Sequence, residues 1–398
     1  MAQSGLVSKA MAQQGNLDDK NKKNLFETIL KAPAATSPAE LETILNFQVN
    51  GQKDPNQVDF INTLCKKDGN ALQKLDAAHT QALFRVMAAN YPKDDKIVEA
   101  MAQVLIFNPA VRTTLAADMT AGRIGSPELL FTVLSHPYFK DPDYPGAQLL
   151  NNPNNDIDKD TAKHWKDDMP FAIKTKQQLY VKFLTDLGVK NGITMKAPAN
   201  FTIAALRTWL DTNTENIGQI AAKEYPKDND AIFNIYKNIA DIFFYHIEKK
   251  DAIADPEGKL AKLGLAGKPD KTRIEADCDV FATYAMRLYN SAGFEPIGYL
   301  GMYPNGTFAN RAAHAAALIR KNNEYFIINN KNMFKSGISD TKANDKKEAA
   351  IVEMQKQAIQ DAYADPLPTT LDVYYADALA KGVLPADFLN KPAKYKRP

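Results

Sequence analysis

Three residues in the last third of this chain have the types and order needed for thiol chemistry: Cys278, His314 and Asn329. Asp277-Cys278 precedes an amphipathic helix whose stripe is Phe281, Ala285, Leu288 and Ala292, with Gly293 as its stop. Asp277 suits the N-cap. Cys278 then stands at a helix N-terminus, where unpaired N–H groups and the macrodipole favour the thiolate, the form that attacks. Glu275, Asp277 and Asp279 oppose this, since negative charge raises a thiol pKa. A histidine must therefore supply much of the activation, as an imidazolium–thiolate pair.

His314 is the expected base. After Gly293 the pattern turns to strands, expected at Phe294–Gly301, Ala312–Arg320 and Glu324–Asn329. Asn322-Asn323 suits a two-residue hairpin turn, because asparagine tolerates positive φ. That turn sets Arg320 opposite Tyr325, Leu318 opposite Ile327, Ala316 opposite Asn329 and Ala315 opposite Asn330. His314 and Asn329 then share a face as diagonal neighbours, roughly 7–8 Å apart at Cβ or slightly less. Asn330 points to the other face. A nucleophile, a base and an orienting amide are the parts of a cysteine hydrolase. The Cys278 backbone N–H is the expected oxyanion donor, and no second donor is identifiable.

The run EADCDVFATYAMRLYNSAGFEPIGYL, followed by HAAALI and EYFIINN, resembles the transglutaminase-like superfamily over about residues 229–335. That papain-related group includes transglutaminases, bacterial cysteine proteinases and peptide amidases. Its pattern is a cysteine opening a helix, a small-Gly pair ending it, strands, a histidine followed by a small residue, and then an acidic residue. Cys278, Ala292-Gly293, His314-Ala315 and Asn329 match in order, and the helix expected at 229–249 resembles the one preceding the family's cysteine. Three positions depart from the pattern: Asn329 stands for the usual Asp, Asp277 for a glycine and Ala316 for an aromatic. The resemblance implies a papain-like core and cysteine-dependent cleavage of an amide bond in a protein or peptide. Acyl transfer to an amine, or glutamine deamidation, on the same triad is the alternative chemistry. A catalytically degenerate adaptor is the alternative from another class.

The rest of the chain must carry and position this site. The 398 residues suggest two or three domains. A hydrophobic fraction of 45%, a charged fraction of 24% and a net charge of +2 describe an ordinary globular chain with no electrostatic call for nucleic acid. No apolar run reaches the roughly 20 residues of a membrane span, and Met1–Asn16 lacks the pattern of a secretory signal. The expected location is the cytoplasm, or outside by a route without a Sec-type signal. Two cysteines make neither a disulfide framework nor a metal site, and no cofactor is expected. Cys65 reads as a core residue.

The first 225 residues read as mostly helical. Ser37-Pro38-Ala39-Glu40 and Ser126-Pro127-Glu128 are helix starts, and further helices are expected near 56–67, 70–90, 93–107, 175–188 and 229–249. Asn151–Asp160 marks a loop or subdomain boundary. Its Asp156, Asp158 and Asp160, with Asp167 beyond, resemble a calcium loop, but Thr161 occupies the glycine position, so a solvated acidic loop is expected. His246 extends the 229–249 stripe and reads as a packed or edge histidine. The expected fold is α+β: a helical N-terminal region over 1–225, a transglutaminase-like core over 226–345, then a helix near 347–363 and an extended tail to 398. A helical region before a small hydrolytic core also suits a bacterial toxin or effector, whose N-terminal helices would engage a partner protein or delivery machine.

Overall fold

The computed structural model describes residues 36–46, 48–49, 52–53, 55–65, 75–139, 163–246, 259–262, 270–304, 314–322, 324–339 and 371–376. The chain is α+β, and it divides into two compact units: Met1–Asp143 with Asp158–Leu179, and Tyr144–Ile157 with Tyr180–Pro398. No helix among the described residues is long and apolar enough to cross a membrane.

The first unit holds helices α1 (Pro38–Leu45), α2 (Pro55–Cys65), α3 (Ala77–Asn90), α4 (Asp95–Phe107), α5 (Pro109–Thr120) and α6 (Pro127–Leu134), with a minimal hairpin of β1 (Gln48–Val49) and β2 (Gln52–Lys53). Their starts are built as the sequence indicates. The Glu40 carboxylate accepts from the Ser37 N–H at 2.9 Å, while Ser37 Oγ accepts from the Glu40 N–H at 3.2 Å, a reciprocal capping box. Ser126 Oγ accepts from the Leu129 N–H at 3.2 Å, with Pro127 at the first helical position. The core runs through Leu41, Phe84, Met101, Leu115 and Leu130, and it includes Cys65, fully buried. Asp156, Asp158 and Asp160 lie outside the described residues. Asp167 sits in a π-helical turn, His164–Asp168, where its carbonyl accepts from Arg112 at 2.8 Å.

Helix α7 (Met169–Lys190) runs through the division at Leu179/Tyr180. The second unit continues with α8 (Ile203–Glu224), α9 (Asn229–Phe243), β3 (Phe244–His246), α10 (Lys259–Lys262), β4 (Ile274–Ala276) and α11 (Cys278–Ser291). Strands β5 (Glu295–Pro304), β6 (His314–Lys321), β7 (Glu324–Asn329), β8 (Asn332–Ser339) and β9 (Leu371–Ala376) follow. β3 and β4 pair in parallel; the other five form an antiparallel sheet in the order β8-β7-β6-β5-β9.

Four features differ from the sequence expectation. The helix expected through 249 stops at Phe243, because the aromatic run Phe244-Tyr245-His246 finds backbone partners on β4 and goes extended. Helix α8, assigned from sequence to an N-terminal region ending at 225, belongs to the second unit. There the Arg287 guanidinium of α11 donates to Glu215 at 2.6 and 2.9 Å and to the Asp211 carbonyl at 2.6 Å, and the Tyr284 hydroxyl donates to the Asp211 carboxylate. β8 forms a strand that the sequence pattern did not announce. β9 lies in the segment expected to be tail, yet it pairs with β5 from Pro304 opposite Leu371 to Tyr299 opposite Ala376. The helix expected near 347–363 lies outside the described residues.

Gly218 permits the closest approach of α8 to α11. A Cβ there would stand 2.2 Å from the Leu288 carbonyl oxygen and 2.8 Å from Ser291 Cβ. Alanine is favoured over glycine in a helix by about 1 kcal/mol, so Gly218→Ala would stabilise an open site. Here overpacking reverses the sign, and we expect Gly218→Ala to lower unfolding free energy by about 1–3 kcal/mol in urea titration. A stabilised variant would show that the two helices do not meet at this glycine.

Candidate active site

The approach to Cys278 is fixed before the helix begins. Asp270 is buried and accepts from the Thr272 N–H at 2.6 Å, the Arg273 N–H at 3.2 Å and Arg273 Nε at 2.6 Å. The buried Arg273 guanidinium also lies over the Tyr245 ring, 5.3 Å from its centroid, and reaches the Asp241 carbonyl at 3.3 Å. The Asp270–Arg273 turn thus delivers the chain into β4 beside β3. Asp277 then leaves the strand with extended backbone (φ −96°, ψ 172°), and its carboxylate accepts the Cys278 N–H at 2.7 Å.

That contact changes two expectations. The Cys278 N–H, expected to serve an oxyanion, is directed at Asp277 instead. The thiol is also not poised as a thiolate by its described surroundings. Cys278 is 8% exposed. Burial pushes its thiol up to about 12; the Ala315 N–H opposes this by donating to the sulfur, while the Asp277 charge, the S–H bond to Asp277 and the Asp279 charge add to the rise. Desolvation is the largest cause, and the two carboxylates add to it. Cys65 is raised further by complete burial.

The hairpin that carries the other two residues has the register the sequence implies. Lys321 pairs with Glu324, Arg320 with Tyr325, Leu318 with Ile327 and Ala317 with Ile328. Asn322 takes the positive φ of a two-residue turn, 52°. Continuing that register sets Ala316 opposite Asn329. Ala316, Leu318, Ile327 and Asn329 therefore fall on one face, and Ala315, Ala317, Ile319, Phe326 and Ile328 on the other. Both faces are buried, Asn329 included. The second face carries the α11 side of the packing: Phe326 meets Phe294 edge-on at 5.7 Å, and Phe294 meets Tyr289 at 5.1 Å.

His314 opens β6 opposite Met302 of β5, at the same strand parity as Ala316. β6 pairs with β7 only from Ala317 onward, so its first residues extend past β7. The Cys278 sulfur comes to this stretch, accepting the Ala315 N–H. At the backbone, then, the Cys278 sulfur meets the amide that joins His314 to Ala315. Asn329 ends the neighbouring strand β7 and is buried.

Asn330 has a different task. Its φ of 48° makes the tight β7–β8 turn that sets Asn329 opposite Asn332. The buried Tyr236 hydroxyl of α9 lies 2.9 Å from the Asn330 carbonyl oxygen and 3.0 Å from the Phe281 carbonyl oxygen of α11. Lys331 adds an ion pair to Asp241 at 3.0 Å, so α9 braces the turn twice.

Sequence reasoning missed Tyr236 as part of the site, because its place in the α9 stripe reads as ordinary core. It also missed the Asp270–Arg273 turn, whose short polar run carries no motif. The sequence reads His246 as a packed or edge histidine on a helix; it is packed, but on a strand. It ends β3, pairs with Ala276, and sets its ring edge-on to Phe281 at 5.7 Å, close to the start of α11.

Comparison of the chain with protein-family models, with curated proteins and with solved structures gives no significant match.

Asp277 holds the thiol proton by charge and by accepting the S–H, so its neutralisation should favour the thiolate. Asparagine still caps helices well. We expect Asp277→Asn to move the pH profile of Cys278 alkylation by iodoacetamide to lower pH. Each pKa unit of that fall raises the thiolate fraction about tenfold at pH values well below the thiol pKa, partly offset in rate by the lower nucleophilicity of the less basic thiolate. An unchanged or slower profile would show that Asp277 does not govern this thiol.

Proposed function

We propose that the second unit is a thiol hydrolase of the transglutaminase-like, papain-related kind, cleaving an amide bond in a protein or peptide. The observation that carries this reading is the Cys278 sulfur on the N–H of Ala315, the residue after His314, with Asn329 buried at the end of the neighbouring strand. A cysteine-bearing helix packed on an antiparallel sheet supports the same class.

The raised thiol pKa sets the order of events. A thiol near pKa 12 is protonated at neutral pH, so the proton must leave as the sulfur attacks. His314 takes that proton as general base while the sulfur–carbon bond forms and the carbonyl π pair moves to oxygen. It returns the proton to the amine as the carbon–nitrogen bond breaks. Water, deprotonated by the same imidazole, then hydrolyses the thioester. Asn329 orients the ring by an amide hydrogen bond, as in a Cys-His-Asn arrangement. An amine in place of water would make the same site an acyl transferase.

The test is hydrolysis of a panel of peptides, cell-wall peptides among them, by the full chain and its variants. Cys278→Ala should abolish turnover with folding intact, and Cys65→Ser should leave it nearly unchanged. A fully active Cys278→Ala would refute the reading. An inert wild-type thiol, with no turnover on any peptide, would favour an adaptor built on a lapsed site.

The two asparagines separate by role. Asn329→Ala should lower kcat by roughly 10–10³-fold, the scale of lost positioning and proton transfer. Asn330→Ala should act through stability, since alanine tolerates positive φ poorly. Kinetics of both variants on one peptide, with urea unfolding of each, check this. The reverse pattern would move the orienting role to Asn330.

A further inference from the structure

We propose that His246 is a catalytic residue of the Cys278 site, donating an N–H to the oxygen that becomes negative when the sulfur adds to the amide carbonyl. This rests on the hydrolytic reading above and deepens it.

The placement comes from β3. Its parallel register sets Phe244 opposite Ile274, Tyr245 opposite Glu275 and His246 opposite Ala276, two residues before Cys278. Side chains alternate along the strand. Tyr245 turns to Arg273, while Phe244 and His246 turn to α11. The Phe244 ring lies 4.9 Å from Tyr284 and 5.4 Å from Phe281; the His246 ring lies 5.7 Å from Phe281. Two strand residues advance the chain by about 6.6 Å, close to the 5.4 Å pitch of a helix. The step from Phe244 to His246 therefore climbs one turn of α11 toward its N-terminus. Phe281 is three residues after Cys278 and on the same side of the helix. The imidazole thus stands beside the turn that Cys278 opens. Phe244 is fully buried, whereas His246 is half-buried and borders solvent, as a group meeting a substrate must.

Donor accounting points the same way. A tetrahedral oxyanion needs N–H groups aimed at it. At the start of α11 the Cys278 N–H goes to Asp277 Oδ1 at 2.7 Å. The Val280 N–H goes to Asp279 Oδ1 at 2.7 Å and the Phe281 N–H to the Asp277 carbonyl at 3.2 Å. The Ala315 N–H goes to the sulfur. These backbone donors are engaged, and Asp277 and Asp279 repel a second negative charge. The His246 imidazole is carried by β3, an element separate from α11. His246 transfers no proton in this step; it gives a hydrogen bond while His314 moves the proton.

The experiment compares two reactions of Cys278 in the full chain, each followed by mass spectrometry. Acylation by p-nitrophenyl acetate passes through an oxyanion; alkylation by iodoacetamide does not. His246→Phe keeps an aromatic ring against Phe281 and removes the donor, and His246→Gln restores an N–H. We expect His246→Phe to slow acylation by about 10²-fold, the scale of losing one oxyanion donor, with alkylation within about twofold of wild type. His246→Gln should recover about tenfold of the loss, and both variants should keep the wild-type thermal midpoint. A parallel fall in both reactions would assign His246 to the thiolate or the fold and overturn the proposal, as would wild-type acylation in His246→Phe. Wild-type Cys278 acylated no faster than a free cysteine would instead remove the hydrolytic reading, and the role of His246 with it.

Discussion

The hydroxyl of Tyr236 lies within hydrogen-bond distance of two carbonyls that belong to different halves of the site. One is Phe281 on the helix that Cys278 opens; the other is Asn330 in the turn that follows Asn329. Cys278 and Asn329 stand on separate elements, and their spacing is kept only if those elements hold station. Here one fully buried side chain of α9 spans the gap. Burial keeps the phenol neutral by raising its pKa, so it remains a donor across the working range of any enzyme. Lys331 on Asp241 and Lys335 on Asp230, at 3.0 and 2.8 Å, fasten the same hairpin to the same helix. Helix α9 is thus the post to which both halves are tied.

The thiol environment shows two opposed demands on one residue. A helix start offers field and N–H groups to an anion. The cap that begins the helix is itself an anion, and it takes the N–H nearest the sulfur. Desolvation adds to this, because a thiolate under 8% exposure has few waters to replace. The outcome is a thiol that its surroundings keep protonated at neutral pH.

The elements nearest the chemistry were legible where local rules fix them. Asn322-Asn323 set the hairpin register because a two-residue turn with positive φ leaves one alignment, and the stripe from Phe281 to Ala292 fixed α11 because its period is helical. Three things were not legible. The end of α9 at Phe243 depends on β4, a partner reached only after the chain returns. Helix α8 has polar residues, Asp211 and Glu215, whose meaning appears once Arg287 lies across from them. The state of Cys278 turns on the amide of Ala315 and the depth of burial, neither of which is carried by sequence spacing.

The place of β9 bears on how the chain acquires its fold. β5 is flanked on one side by β6, its near neighbour in sequence, and on the other by a strand supplied only after Leu371. During synthesis the hairpins from β5 to β8 can close as soon as they emerge, whereas the far edge of β5 waits for the last part of the chain. Until then it presents a row of backbone groups able to pair with another molecule. Closing so long a loop adds little to the equilibrium cost, since that cost grows only with the logarithm of length. It does set the timing: a nascent chain stopped near residue 345 carries Cys278, His314 and Asn329 with β5 as an open sheet edge, and the arrival of Leu371–Ala376 moves that edge outward to β9.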